Sequence, residues 1–472
     1  MLLYLTHQGQ HTASLDLVRP YGDTLALQDL PNSTLQGLSS ISFSGFRLQL
    51  QPGGGFQVVL SAGAPLKRLR LCECALLDGQ EGLAAALLLQ PKLRDLDFVP
   101  EWCGPLDCSL RGTLQELRQL TSLKLARCRL EQPDGLEHLQ GLTRLQELFL
   151  DGMSAPSANA GMLSGFQQLT LLQLDGEEST VTAAFEPAAL AGLTQLQSLG
   201  VMKYTLTGGA AATEPLPPYF CALWSEIAAR QRSAAVTQLL SNLQDLQQLT
   251  WLDLSSTLHH VSDYDAATVP TTAYSALTAS SNLQHLSISN CTLPAGVWQH
   301  MFPAGRQLPQ LQELDVSKAS FKVSWTSTRA TAPELSRLVS CCPCLQWLDI
   351  CELQHSAELL APLTGLSGLS QLHLTLRDSP AAEIAVVCQL TGLDWLEMRD
   401  PGEDDRLQLQ LTQLKKLTYL NYLPPDYCHS NSKRSQLEFY DREVSGGVVV
   451  NTAGLYLYAL VMTQEHLSVV NA

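Results

Sequence analysis

Apolar residues recur along this chain in a six-position frame: apolar, two variable, apolar, one variable, apolar. The cleanest copies are Leu66-Lys-Arg-Leu69-Arg-Leu71, Leu120-Thr-Ser-Leu123-Lys-Leu125 and Leu283-Gln-His-Leu286-Ser-Ile288. Looser copies begin at Leu38, Leu93, Leu145, Leu169, Leu196, Leu249, Leu311, Leu345, Leu369, Leu393 and Leu417, which makes 14. Successive starts lie 28, 27, 27, 25, 24, 27, 53, 34, 28, 34, 24, 24 and 24 residues apart. The fourth and sixth positions are two apart, so they share one face of an extended strand, and the residue between them faces the other way. One short strand is therefore predicted per copy. No single copy can bury its own apolar positions, so neighbours must stack around a shared core.

Three segments break the period. Phe46–Gln51, the Gly-rich Pro52–Gly55 and Phe56–Leu60 read as a hairpin. The 53-residue gap after Leu196 holds a Gly-, Ala- and Pro-rich stretch, Thr207–Pro218, and then helical spacing over 219–246. The third is the non-repeating tail after Pro425. Its apolar run, Val448–Met462, is placed to cover the leucines that a stack leaves open at its end. The predicted organisation is an N-terminal partial repeat or cap over 1–37, built around Leu15 and Leu17, and a repeat domain over 38–425. The repeat domain carries the hairpin at 46–60 and an insertion at about 205–247, and a C-terminal cap or tail follows over 426–472.

Leucine accounts for 93 of 472 residues, about twice ordinary usage. With the 14 frames, this resembles the leucine-rich repeat family. The resemblance implies an α/β solenoid of about 14–15 irregular repeats, curved like a horseshoe. Its parallel sheet would lie on the concave face, with helices and loops on the convex face. The family commonly places Asn or Cys at the ninth position. Here Cys74, Cys128 and Cys291 fit, whereas Phe46, Tyr204, Thr257, Leu353 and Pro401 depart from the pattern. Ser340-Cys-Cys-Pro-Cys344-Leu345 resembles the Cys-Pro-x-Leu lead-in of the intracellular, cysteine-containing (ribonuclease-inhibitor-like) type.

Charge and targeting narrow the partners. Lys and Arg total 29 against 45 Asp and Glu, a net charge of −16, which disfavours a polyphosphate backbone. No nucleic-acid partner is expected. The 15 residues of Val448–Met462 include Asn451 and Thr452 and are too short and polar to span a bilayer comfortably, so no membrane role is expected. The N-terminus has no signal-peptide pattern, and the 13 cysteines form no disulfide framework at either end. A cytoplasmic protein is expected, of the kind that serves ubiquitin ligation, nucleotide-exchange control, immunity or cytoskeletal and ciliary assemblies.

Candidate chemistry is sparse. There is no phosphate-binding Gly-x-x-x-x-Gly-Lys loop, no His-Glu-x-x-His pair and no Gly-x-Ser-x-Gly elbow. Neither an enzyme nor a cofactor is expected. Cys341, Cys342, Cys344, Cys351 and His355 fall within 15 residues and are possible zinc ligands, but their spacing lacks a Cys-x-x-Cys pair and favours small packed residues.

The outward strand positions are more informative. The third position of successive frames holds Trp251, Trp347, Trp395 and Tyr419, and the fifth holds Asp253, Asp315, Asp349 and Glu397, with His373 among them. Three of the seven tryptophans fall in one column of 14 positions, against roughly 0.2 expected at random. Aromatics beside carboxylates suit a basic protein surface. The competing reading is that such aromatics stack on one another and the acids are merely solvated. Lys67, Arg68, Arg70, Lys124 and Arg127 form a smaller basic cluster, read as a charged rim without a ligand.

These features predict a non-enzymatic interaction scaffold that binds a protein on its concave face. The alternative is a substrate-recognition subunit of a cullin-type ubiquitin ligase, and only Leu27-Gln-Asp-Leu-Pro31 echoes the F-box such subunits carry. A GTPase-activating role, known for one leucine-rich family, is a third reading.

Overall fold

In the computed structural model, the described residues are 14–18, 24–25, 38–48, 66–77, 79–101, 104–129, 139–153, 163, 165–176, 184–207, 221–258, 269–322, 332–353, 357–376, 380–399, 411, 413–423, 449–452, 462–463 and 466–467. They divide into two compact units, one formed by 1–251 and 265–269 and the other by 252–264 and 270–472.

Every one of the 14 frames forms a strand that starts at its third position. In the first unit the strands Ser14–Val18, Ser40–Ser44, Arg68–Leu76, Asp95–Pro100, Ser122–Ala126, Glu147–Met153, Leu171–Gly176 and Ser198–Met202 pair in parallel, in that order. In the second, His285–Ser287, Glu313–Asp315, Trp347–Asp349, Gln371–Thr375, Trp395–Arg399, Tyr419–Leu423 and Val449–Thr452 do the same. Equivalent frame positions pair directly, third on third and fifth on fifth. A one-residue slip would turn each leucine to the open face, so burial fixes the register.

The core is the set of first, fourth and sixth positions. Leu69, Leu71, Leu123, Leu148, Leu172, Leu314, Leu348, Leu372 and Leu396 are essentially inaccessible. Each such leucine contributes about 1.5–3 kcal/mol relative to an exposed one. The opposite wall is built from short helices whose apolar sides close the same core, including Gly79–Leu88, Cys108–Glu116, Ala332–Cys341 and Pro380–Val387. Asp107 caps one of them by accepting the Leu110 N–H at 2.9 Å. A 25-residue helix, Cys221–Asp245, lies where apolar spacing predicts one. This is an α/β leucine-rich repeat solenoid fold.

The eighth position shows how each repeat turns away from its strand. Gly45, Glu73, Arg127, Lys203, Ser256, Asn290, Lys318 and Glu352 all occupy that position and all have positive φ. Left-handed backbone costs a non-glycine residue about 1–2 kcal/mol. The cost is offset by hydrogen bonds that the turn makes with the next repeat: Arg127 N–H donates to Asp151 O at 2.7 Å, Asn290 to Ser317 O and Lys318 to Cys351 O, both at 2.8 Å. The side chains are free to pair, as in Arg127–Glu73 at 3.2 Å and Lys318–Glu352 at 3.6 Å.

The ninth-position cysteines act within the same turn. The Cys74 thiol donates to Phe43 O at 3.4 Å, that of Cys128 to Ala126 O at 3.3 Å and that of Cys291 to Leu254 O at 3.2 Å. Burial pushes the Cys74 thiol up to about 11 and the Cys291 thiol up to about 12. Where the position holds Phe46, Tyr204 or Leu353 instead, the side chain simply joins the core.

Of the predicted hairpin at 46–60, Arg47–Leu48 is a strand parallel to Ala75–Leu76 and to Thr24–Leu25. Residues 49–60 lie outside the described residues, as do 27–31, 208–220 and most of 426–472.

Candidate functional site

On the open face of the second unit, direct pairing lines up His285, Glu313, Trp347, Gln371, Trp395 and Tyr419 in one column. The fifth-position column beside it runs Ser287, Asp315, Asp349, His373, Glu397 and Asn421. Trp347, Trp395, Tyr419, Asp349, His373 and Glu397 thus share one patch, each partly accessible where its side chain is described.

The aromatics have partners within the chain. Trp395 stacks on Tyr419, with ring centroids 3.6 Å apart and planes at 22°. Trp347 meets the His373 ring edge-on at 5.5 Å and 73°. His373 Nδ1 lies 3.5 Å from Asp349 Oδ2, which joins the aromatic and acidic columns. Further along, His285 Nδ1 is 2.8 Å from Glu313 Oε2. The indole nitrogen of Trp395 is buried without a hydrogen-bond partner, so stacking rather than a polar contact holds that ring.

Trp251 belongs to the first unit, where it packs against Gly200. Asp253 belongs to the second.

Three of the four carboxylates have a structural task that the sequence reading did not assign. Asp253 Oδ1 accepts the Ser255 N–H at 2.9 Å, Asp315 Oδ1 accepts that of Ser317 at 2.9 Å, and Asp349 Oδ1 accepts that of Cys351 at 2.8 Å. Each aspartate folds its own backbone into an Asx turn, and each of these strands ends there after three residues. Glu397 has one more methylene, and its strand runs on for five residues, to Arg399. The available signal was the recurring Asp-x-Ser or Asp-x-Cys at positions five to seven.

Sequence reading also missed a hydroxyl network. The Ser255 hydroxyl contacts Ser287 Oγ at 2.8 Å, Ser289 donates to Ser255 Oγ at 3.0 Å, and Ser287 donates to Asp315 Oδ2 at 3.2 Å. Asp315 is still held above the usual carboxylate range, first by burial and then by Asp349 directly opposite, and its hydrogen bonds pull the other way.

The basic cluster of the first unit is largely neutralised by its neighbours. Arg68 pairs with Asp95 at 3.0 Å, Arg70 with Asp97 at 3.1 Å and Arg127 with Glu73 at 3.2 Å, and the Lys124 ammonium sits 4.4 Å from the Phe149 ring centre.

Among the described residues, no group of three or more His, Cys, Asp or Glu side chains could hold a metal ion. Cys341, Cys342 and Cys351 are buried in the core, Cys344 is exposed, and His355 lies outside the described residues. No described helix is long and apolar enough to cross a membrane.

No protein-family model and no curated protein matches the chain in sequence. Solved structures are similar to the chain. One is the Arabidopsis receptor kinase HAESA in complex with the peptide hormone IDA and the co-receptor SERK1. It is 15% identical, with a TM-score of 0.46, over 87% of this chain and 63% of that one. Another is TLR13 in complex with ssRNA13, 17% identical with a TM-score of 0.40 over 82% of this chain and 55% of that one. The chain therefore spans less than two thirds of the length of either.

Proposed function

We propose that this chain is a non-enzymatic interaction scaffold that binds a basic protein partner on the concave face of its solenoid. The binding residues in this reading are Trp347, Asp349, Trp395, Glu397 and Tyr419 of the second unit, with Asp253 and Asp315 at the same frame position as Asp349, and Trp251 of the first unit at the same frame position as Trp347. One observation carries it. Two aromatic pairs, Trp395–Tyr419 and Trp347–His373, stand partly accessible on one open sheet face, beside the acidic side chains of Asp349 and Glu397. Stacked rings lose little conformational freedom on binding, which suits them as anchors.

The same reading takes the chain as cytoplasmic and of the cysteine-containing type. Its support is the set of buried thiols at Cys74, Cys128 and Cys291 that hold turn carbonyls, a role that needs reduced cysteine.

The test is to identify partners by proximity labelling in cells and to measure the affinity of purified variants for the recovered partner. Trp347→Ala and Trp395→Ala should each weaken binding about tenfold or more, the cost of losing an anchor worth about 2 kcal/mol. Lys67→Ala and Arg70→Ala should leave it nearly unchanged. An essential basic pair with both tryptophans dispensable would move the site to the first unit and end this reading.

A further inference from the structure

We infer that His373 is a proton-operated counter-ion inside the binding face. Once protonated it neutralises Asp349 from within the chain, so a basic partner is held less tightly as pH falls from about 7.5 to about 6. The inference rests on the binding-face reading above and adds the regulation of that face.

His373 holds the fifth position of its strand, in direct register with Asp349 on one side and Glu397 on the other. Its Nδ1 lies 3.5 Å from Asp349 Oδ2, and its ring centre lies 5.5 Å from that of Trp347. One imidazole thus meets both an acid and an aromatic anchor of the proposed face. Asp349 is fixed for this contact, because its Oδ1 accepts the Cys351 N–H at 2.8 Å while Oδ2 faces the imidazole. The His373 and Asp349 side chains are 17% and 14% accessible, so salt screens their attraction only in part while solvent protons still reach the ring.

Histidine is the side chain whose ordinary titration changes its charge between about pH 5 and 8. While the imidazole is neutral, the field of Asp349 attracts an incoming lysine or arginine. Once protonated, the ring donates to Asp349 as an internal cation and repels that same incoming side chain. The surrounding groups act with it. Along the fifth-position column every charged neighbour is an acid: Asp349 and Glu397 on the adjoining strands, and Asp315 one strand beyond Asp349. Glu313, two residues before Asp315, is paired with His285. Arg399 is in register with Thr375, whose hydroxyl oxygen accepts the N–H of Glu352, the partner of Lys318. Asp315 is held above the usual carboxylate range by burial and then by Asp349, so acidification removes its charge in the same direction.

The test measures binding of the capped peptide Ac-Lys-Gly-Lys-Gly-Lys-NH2 to the full chain by calorimetry in low salt, at about pH 7.5 and about pH 6. The native chain should bind about threefold more weakly at the lower pH. His373→Gln keeps a polar group beside Asp349 without the charge and should lose most of that difference. His285→Gln should retain it, which separates His373 from a general effect of histidine charge. By linkage, peptide binding at about pH 6.5 should expel protons from the native chain, and fewer from His373→Gln. The expelled protons appear as a binding enthalpy that changes with the ionisation enthalpy of the buffer. Circular dichroism at both pH values checks each fold, and His373→Asn is read in the same way should His373→Gln not fold. A pH dependence as large in the folded His373 variant as in the native chain overturns the counter-ion. If binding requires Trp347 and Trp395 at both pH values while that dependence survives, the binding face stands and the counter-ion falls. Binding indifferent to both tryptophans, or no binding at either pH, removes the face and the inference with it.

Discussion

The indole of Trp251 fills the space that any side chain at Gly200 would need: a Cβ built on that glycine comes within 3.0 Å of the indole Cζ3 and 3.2 Å of Gln173 Cγ. Gly200 is the fifth position of its repeat, where the other repeats of the first unit carry larger residues. Gly200→Val should push the ring off the sheet, lower stability by about 1–3 kcal/mol and shift Trp251 emission to the red. Unchanged emission and an unchanged denaturation midpoint would show that the ring does not depend on the glycine.

Asp315 provides a pH test. Its folded pKa is raised, so the ionised form is disfavoured in the fold and subtracts stability at neutral pH. That penalty disappears as pH falls through the raised value. Asp315→Asn keeps an Oδ1 to accept the Ser317 N–H and removes the repulsion from Asp349. The variant should be at least as stable as the native chain at neutral pH, with the difference closing on acidification. Urea midpoints across the acid range measure it, and a less stable variant at neutral pH would show that the charge itself is needed.

Thiol reactivity should follow burial. Cys108 and Cys344 are exposed, whereas Cys74 and Cys291 are buried and their thiols are raised. Brief iodoacetamide treatment of the native chain at about pH 8 should modify Cys108 and Cys344 and spare the other two, as read by mass spectrometry. Equal labelling of Cys74 would mean that the turn it bonds opens readily.

We propose that Val448–Met462 caps the last repeat, a reading supported by the parallel pairing of Val449–Thr452 with Tyr419–Leu423. Truncation at Ser445 removes that strand and leaves the edge of Tyr419–Leu423 unpaired, so solubility and the unfolding midpoint should both fall. A truncated chain as soluble and stable as the full one would remove the tail from the fold.

The repeat was legible because its signal is strictly periodic: Leu69 and Leu71 sit two apart for the same steric reason as Leu372 and Leu374, and each frame reports independently on the same strand. The column of aromatics followed from that register. Its internal pairing did not, since whether Trp347 leans on His373 or Trp395 on Tyr419 depends on side-chain rotamers that spacing leaves open. The aspartates were harder. Asp315 and Glu397 look alike as carboxylates in one column, but the shorter side chain reaches back to its own backbone and the longer one's strand continues past it. Their difference is one of reach, and composition does not reveal it.

Strand length sets the area of flat backbone each repeat offers. The three-residue strands from His285 to Asp349 span about 10 Å of paired chain, and the five-residue strands from Gln371 to Leu423 about 17 Å. An incoming loop would therefore find its widest landing ground between Gln371 and Leu423. The border between narrow rungs and broad ones falls between Asp349 and His373, which face each other in direct register.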